Sequence, residues 1–347
     1  MRASPLSPVD PLRARAAARS TLAASTLAAS TLAASALAAS ALAICALVGS
    51  ALLAPPAVAA PDPTIMGAVA RTQTGGDLRA SKAISSTAEY TRHRITYKSN
   101  GLTITGIMNR PKGEGPFPVV VLAHGYIDPD VYWSGQGFRR EQDWLARNGY
   151  VALHVDYRNH AGSDDDPEAD LNMRVGYAED VINAGLAVRN SNISYIDPDR
   201  VAVLGRSMGG GVVYQALTIA PGVFDAAITY ASVSSDPVDN FNRWQRERYE
   251  IGNRILKAYG EPKRNPELWA RMSSRNYFDR VTEPVLAFHG TNDRTCNIEW
   301  ARETQQALEE AGVDARLVEY KGADHYFYGP WDDSIRQVGA FLRKHLA

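Results

Sequence analysis

From residue 93 onward, short apolar runs rich in β-branched residues alternate with longer stretches whose apolar positions recur at helical spacing. Phe117–Ala123, Val151–Tyr157, Arg200–Leu204, Ala226–Tyr230, Pro284–Phe288 and Ala315–Tyr320 read as strands. Arg139–Asn148, Leu171–Asn190, Ile298–Gly312 and Trp331–Leu346 read as helices. Earlier, Arg94–Lys98 and Leu102–Met108 flank Ser99-Asn100-Gly101, and Asn-Gly between two alternating runs predicts a β-hairpin. Strands alternating with helices imply a mainly parallel sheet covered on both faces, with antiparallel strands at one edge. Residues 234–282 break this rhythm. They are polar, aromatic and helix-prone (Trp244, Tyr249, Tyr259, Trp269, Tyr277), and too long for a simple crossover. They are expected to form a small helical cap between two core strands, its aromatics lining a pocket for an apolar group.

The start of the chain follows another pattern. Arg13, Arg15 and Arg19 precede an Ala/Ser/Thr/Leu repeat that begins at Thr21-Leu22-Ala23-Ala24-Ser25. An apolar run from Ala41 to Ala54 and the small-x-small triplet Ala57-Val58-Ala59 follow. Residues 1–59 therefore read as a long secretory signal peptide, with an uncleaved anchor or misplaced start codon as the alternatives. Cys45 sits behind Ile44, a poor lipobox residue. The polar, small residues 60–92 read as a loosely packed lead-in, and 93–347 as the folded domain.

Composition narrows the picture further. The 347 residues carry 37 Lys and Arg against 38 Asp and Glu. Setting aside Arg2, Arg13, Arg15, Arg19 and Asp10 leaves 33 against 37 in the expected mature chain. No basic patch suggests a nucleic-acid partner. Cys296 is the one cysteine after the leader, so no intrachain disulfide is available and stability must come from core burial. No second apolar run of membrane-spanning length appears after the leader, so the mature form is expected to be soluble.

Candidate chemistry centres on Gly205-Arg206-Ser207-Met208-Gly209. This Gly-x-Ser-x-Gly pattern lies between a strand and Gly210-Gly211-Val212-Val213-Tyr214, which reads as a helix start. A serine on such a turn is lifted above the sheet edge beside free helix N–H groups. Its hydroxyl needs a base, and the base an orienting acid. In the chain order of this motif, Asp293 in His289-Gly290-Thr291-Asn292-Asp293 fits as the acid and His325 in Gly322-Ala323-Asp324-His325 as the base, each following a strand. Asp324 competes as the acid, but adjoins His325 too closely to reach the far edge of its ring. His289 reads as a structural residue. His160 with Asp164-Asp165-Asp166 suggests either a metal site or, without defined ligand spacing, a solvated loop. An oxyanion would meet the backbone N–H of Met208 and a donor from His124-Gly125-Tyr126, with the Tyr126 N–H as the default and its phenol as a second donor.

Together these residues resemble the catalytic domain of the prolyl oligopeptidase family, within the α/β-hydrolase superfamily. The similarity spans roughly residues 93–347. It rests on His124-Gly125-Tyr126, the Gly205–Gly211 elbow, His289–Asp293 and Gly322–His325, with intervals of 86 residues from Ser207 to Asp293 and 32 from Asp293 to His325. The resemblance implies an α/β-hydrolase fold with Ser207 as nucleophile, Asp293 as acid and His325 as base. It assigns Tyr126 to oxyanion binding through its hydroxyl. About thirty residues separate the leader from the hairpin, so no propeller is expected. Dienelactone-hydrolase-like and secreted carboxylesterase families are also similar, and the same triad serves amides and esters. Short peptides and small esters both remain open as substrates, and no metal or organic cofactor is expected. A noncatalytic binding protein or an acyl transferase on the same scaffold are the competing classes.

Overall fold

The computed structural model describes residues 62–347. The expected signal peptide (1–59) and the first two lead-in positions lie outside the described residues. The central sheet has ten strands. They are β1 (Gly76–Ala80), β2 (Ser85–Ser86), β3 (Tyr90–Ser99), β4 (Leu102–Pro111), β5 (Phe117–Ala123), β6 (Val151–Val155), β7 (Ile196–Arg206), β8 (Ala226–Tyr230), β9 (Val285–Gly290) and β10 (Ala315–Tyr320). Their spatial order is β1-β3-β4-β6-β5-β7-β8-β9-β10, with β2 beside β3. From β6 to β10 every pair is parallel, and β1 to β4 form the antiparallel edge. The hairpin turn follows from its residues: Asn100 and Gly101 have φ of 48° and 91°, the two left-handed positions of a type I′ turn.

The apolar runs form strands because both faces of the sheet are covered. On β5, Val119 and Val121 enter one core while Val120 and Leu122 enter the other. Each such fully buried side chain contributes about 1.5–3 kcal/mol. The first core lies under α1 (Ile65–Ala70), α3 (Val175–Arg189), α4 (Met208–Ile219) and α8 (Ile298–Glu310). The second lies under α2 (Arg139–Arg147) and α9 (Trp331–His345). The helix predicted from Leu171 begins at Val175. Met173 and Arg174 have left-handed backbones, and Leu171 and Met173 turn into a third apolar cluster.

Residues 62–92 depart from the loosely packed lead-in. Thr64 caps α1 by accepting the Gly67 N–H at 2.9 Å, and Ile65 and Ala68 are completely buried in the first core. β1 and β2 pair with β3. Two apolar positions three apart suffice to seat this single helical turn, a signal too short to stand out among Ala, Thr and Ser.

Between β8 and β9 the chain runs through α5 (Pro237–Asn240), a π-helical turn at 241–245, α6 (Tyr249–Tyr259), α7 (Pro266–Arg271) and a 3₁₀ segment at 274–280. Phe241, Ile255, Tyr259, Trp269 and Met272 form their own cluster with Leu171 and Met173. The 3₁₀ segment instead joins the main core. The Phe278 ring lies 5.8 Å from that of Tyr214, and Arg280 Nε donates to the Thr218 carbonyl at 2.7 Å.

Three buried histidines predict acid sensitivity. Burial pulls His124 well below its ordinary pKa, lowers His289, and takes His154 down to about 4. These rings stay neutral in the native protein but protonate near pH 6.5 once unfolded. The unfolded state thus binds more protons once pH drops below about 6.5, so stability falls as pH falls, through His154 by up to about 1.4 kcal/mol per pH unit down to about pH 4. Thermal unfolding at pH 7.5 and pH 5 checks this, and an unchanged Tm contradicts it.

Candidate active site

The sheet turns back on itself at β5, which lies between β6 and β7, and ligand crevices form beyond the carboxyl ends of strands at such a switch point. Register does the assembling. Ala123 pairs with Gly205, so the segments after β5 and β7 emerge side by side. A Cβ on Gly125 would lie 3.2 Å from the Ser207 Cβ. Gly290 pairs with Tyr320, so the segments after β9 and β10 also emerge together. The Asn292 N–H donates to the Ala323 carbonyl at 2.9 Å and the Gly322 N–H to Thr291 Oγ1 at 2.8 Å, tying these two loops into one unit.

Ser207 sits at the junction of β7 and α4 with φ 56° and ψ −120°. A non-glycine residue at such angles costs on the order of 1–3 kcal/mol and persists where its surroundings fix it. Here its N–H donates to the Tyr230 carbonyl at 2.9 Å, and its own carbonyl accepts from Gly210 at 3.0 Å and Val233 at 3.1 Å. Met208 opens α4, so its N–H is a first-turn donor that no helical carbonyl takes. The Tyr126 N–H makes no backbone hydrogen bond among the described residues. The Tyr126 ring is half-exposed, with the Arg248 guanidinium 4.7 Å above it.

His325 Nδ1 lies 2.7 Å from Asp293 Oδ2. Facing a carboxylate, Nδ1 carries the proton, which leaves Nε2 as the acceptor. Asp293 Oδ1 accepts the N–H groups of Thr295 at 2.8 Å and Cys296 at 2.9 Å. Burial alone would raise this carboxyl, but the bonds from His325 and the two backbone donors outweigh it and hold its pKa below the ordinary aspartate value. Asp324 instead caps its own loop, accepting the Tyr326 and Phe327 N–H groups. His289 is buried, its Nε2 3.0 Å from the Cys296 carbonyl.

Ser207 and His325 face one cavity of about 440 Å³, whose wall also includes Tyr126, Met208, Arg174 and Trp244. Of the aromatics named for the cap, Trp244 reaches this wall. Tyr259 and Trp269 pack inside the inserted segment, and Tyr249 is exposed. His160 is not on a solvated loop. Its ring turns inward, 5.1 Å from Tyr132 and 5.4 Å from His124, because the aromatic cluster there offers apolar contact that the loop sequence does not reveal. Asp166, its neighbour in sequence, pairs with Arg158 at 2.9 Å.

Two residues of the site escaped the sequence reading. Cys296 is fully buried, and it offers Sγ within 4.8 Å of ligand atoms of Asp293 and His325. Among the described residues these three form the group of side chains able to approach a metal, but the carboxylate and imidazole already bond each other. Burial also pushes the thiol up, Asp293 adds to that, and the Ser207 hydroxyl offsets only part, so the thiolate a metal needs is disfavoured. Its position three residues after Asp293 was the available signal. The second is Asp156, completely buried just past β6. It accepts from Tyr132 Oη at 2.6 Å, Ser134 Oγ at 2.6 Å, the Gly135 N–H at 3.0 Å and Thr105 Oγ1 at 2.7 Å. This carboxylate anchors the loop that follows His124-Gly125-Tyr126. Asp156→Asn turns an amide toward these donors and is expected to cost about 3 kcal/mol in urea unfolding; a loss below about 0.5 kcal/mol, the level of an ordinary surface change, contradicts the anchoring role.

A model of the prolyl oligopeptidase family matches residues 136–347. The uncharacterized peptidase YuxL of Bacillus subtilis (strain 168) is 27% identical over 238 residues, covering 65% of this chain and 34% of its own. The chain thus spans about a third of the length of that relative, and 30% of a plant acylamino-acid-releasing enzyme from Arabidopsis thaliana that is also 27% identical. Among solved structures, dipeptidyl peptidase 4 of Porphyromonas gingivalis superposes with a TM-score of 0.60 at 21% identity, over 74% of this chain and 36% of the other. Acetyl xylan esterase 1 from Thermoanaerobacterium sp. JW/SL YS485 gives 0.59 at 17% identity, over 78% and 89%. These superpositions place the chain in the α/β-hydrolase fold.

Proposed function

Because the chain belongs to the prolyl oligopeptidase family, we propose that it is a serine hydrolase that cleaves amide bonds of short peptides, or small esters, through an acyl-enzyme. The observation that carries this reading is the 2.7 Å bond between His325 and Asp293, with Ser207 on the wall of the same cavity. Ser207 Oγ attacks the carbonyl carbon while His325 Nε2 takes its proton. Asp293 holds the ring by its Nδ1–H and stabilises the imidazolium. The oxyanion that develops is met by the Met208 N–H and by Tyr126, through its N–H or phenol. His325 then protonates the leaving group, and water repeats the sequence on the acyl-enzyme.

A carboxylesterase would use the same residues. The cavity favours it to the extent that about 440 Å³ suits a small molecule. Rates on a p-nitrophenyl ester and the matching p-nitroanilide separate the two, with fluorophosphonate labelling of Ser207 as the test of the class. No labelling and no hydrolysis of either substrate would overturn the proposal. The inserted segment 234–282 acts in this reading as a cap over the cavity. The reading also places the mature enzyme outside the cell, with residues 1–59 removed as a leader. N-terminal sequencing of protein from the medium tests this, and an intact leader on the exported protein contradicts it.

A further inference from the structure

The charged side chains around the cavity do not balance. Arg206 is taken by Glu141, at 2.5 Å, and Asp170 lies 3.6 Å from Arg254. His325 is held by Asp293. Two cations remain on the wall, Arg174 and Arg248. Among the described residues, neither guanidinium has a carboxylate partner or donates a hydrogen bond; Arg248 rests only on the Tyr126 ring. Arg174 is half-buried and Arg248 is exposed, so the less solvated of the two unpaired charges is that of Arg174, and a partly desolvated charge gains from a partner.

Arg174 is unusual in a second way. It occupies the position before α3 with φ 68° and ψ 7°, a left-handed conformation that a non-glycine residue seldom adopts. Backbone strain of this kind gathers at ligand-binding sites. Burial pulls the Arg174 guanidinium below its ordinary pKa; Tyr177 opposes this, and the nearby charge of Arg248 reinforces it. The same guanidinium acts electrostatically on Tyr126 and on Cys296, which lies beside Ser207. Two cations without a carboxylate partner thus share the cavity wall with Ser207, and the half-buried Arg174 is screened less by water than the exposed Arg248.

We infer that Arg174, assisted by Arg248, binds a carboxylate of the substrate, so that this hydrolase acts on acidic esters or peptides in preference to neutral ones of the same shape. The inference rests on the serine hydrolase reading and supplies its substrate class. A planar guanidinium matches a carboxylate with two parallel N–H···O bonds, and the incoming anion would replace the solvation Arg174 has lost.

Two matched substrate pairs test it. p-Nitrophenyl hydrogen adipate against p-nitrophenyl hexanoate puts the carboxylate on the acyl part. 3-Carboxy-4-nitrophenyl acetate against 4-nitrophenyl acetate puts it on the leaving group. In one pair the ratio of kcat/KM, acidic over neutral, is expected to fall about tenfold to a hundredfold in Arg174→Gln, the effect of one charge-assisted pair. Arg174→Lys should restore part of it, and added salt should shrink the preference of the unaltered enzyme. A ratio unchanged by Arg174→Gln in both pairs overturns the inference. If that variant does not fold, Arg248→Gln in the inserted segment is read in the same way, with a smaller expected fall. Calorimetry on Ser207→Ala needs no turnover: monomethyl adipate should bind at least tenfold tighter than methyl hexanoate, a difference one charge-assisted pair supplies, and equal affinity overturns the inference. Absent fluorophosphonate labelling would defeat the hydrolase reading alone, leaving the calorimetric result to decide on the carboxylate.

Discussion

Ser207→Ala is expected to lower turnover about 10⁴-fold or more on any ester or amide the protein cleaves, and to abolish fluorophosphonate labelling. The size of the effect follows from the arrangement rather than from the serine alone. The Asp293–His325 bond is already formed, so the imidazole is in the tautomer that accepts a proton at Nε2. Without the hydroxyl this prepared base has no nucleophile to activate. What remains is the oxyanion site and binding, which alone leave a residual rate above that of water. His325→Gln should lose nearly as much, and the double variant little more, because residues acting as one unit are not additive. Losses that multiplied in the double variant would show that the two do not work together. Single-turnover rates on a p-nitrophenyl ester, with circular dichroism to verify folding, make the measurement.

The second large effect concerns stability. Gly209 lies where α4 meets the ends of the strands, and a Cβ there would collide with the carbonyl of Ala123 and with that of His124. These are backbone atoms of β5 and the segment after it, so no rotamer change relieves the clash. Gly209→Ala is expected to cost about 3 kcal/mol or more, at the upper end for overpacking, and to displace α4 together with Ser207. Gly329→Ala is the control, since a Cβ there meets nothing within 4 Å. Urea unfolding of both variants tests this. A Gly209→Ala protein as stable as the Gly329→Ala one would mean that the helix can slide away from the strand freely, against the close contact described.

The sequence made the strands visible where burial on both faces produced continuous apolar runs, as at Val119–Ala123, and where a turn demanded particular residues, as at Asn100-Gly101. The positions of Ser207 and Asp293 were legible because each follows such a strand, while His325 follows β10, a strand only partly buried. Contacts between residues far apart without periodicity were not legible. Asp156 meets Tyr132 and Ser134 across more than twenty residues and Thr105 across 51, and no local pattern announces it. The inward turn of His160 depends on rings contributed by three separate segments. Composition misled at two points. The polar lead-in hid Ile65 and Ala68, and of the insertion's named aromatics only Trp244 lines the cavity, while Tyr259 and Trp269 serve its own cluster and Tyr277 packs on the main core.

The final stretch of the insertion gives it a practical divide. Residues 237–272 build a cluster that also takes in Leu171 and Met173, whereas 274–280 dock Phe278 and Arg280 against α4 and carry the chain back to β9. Grafts that exchange the upper portion for a foreign loop and rejoin before Ser274 should keep the return path native, provided the new loop still covers Leu171 and Met173. A transplant that removed Phe278 as well would open a hole behind the helix that carries Ser207 at its start.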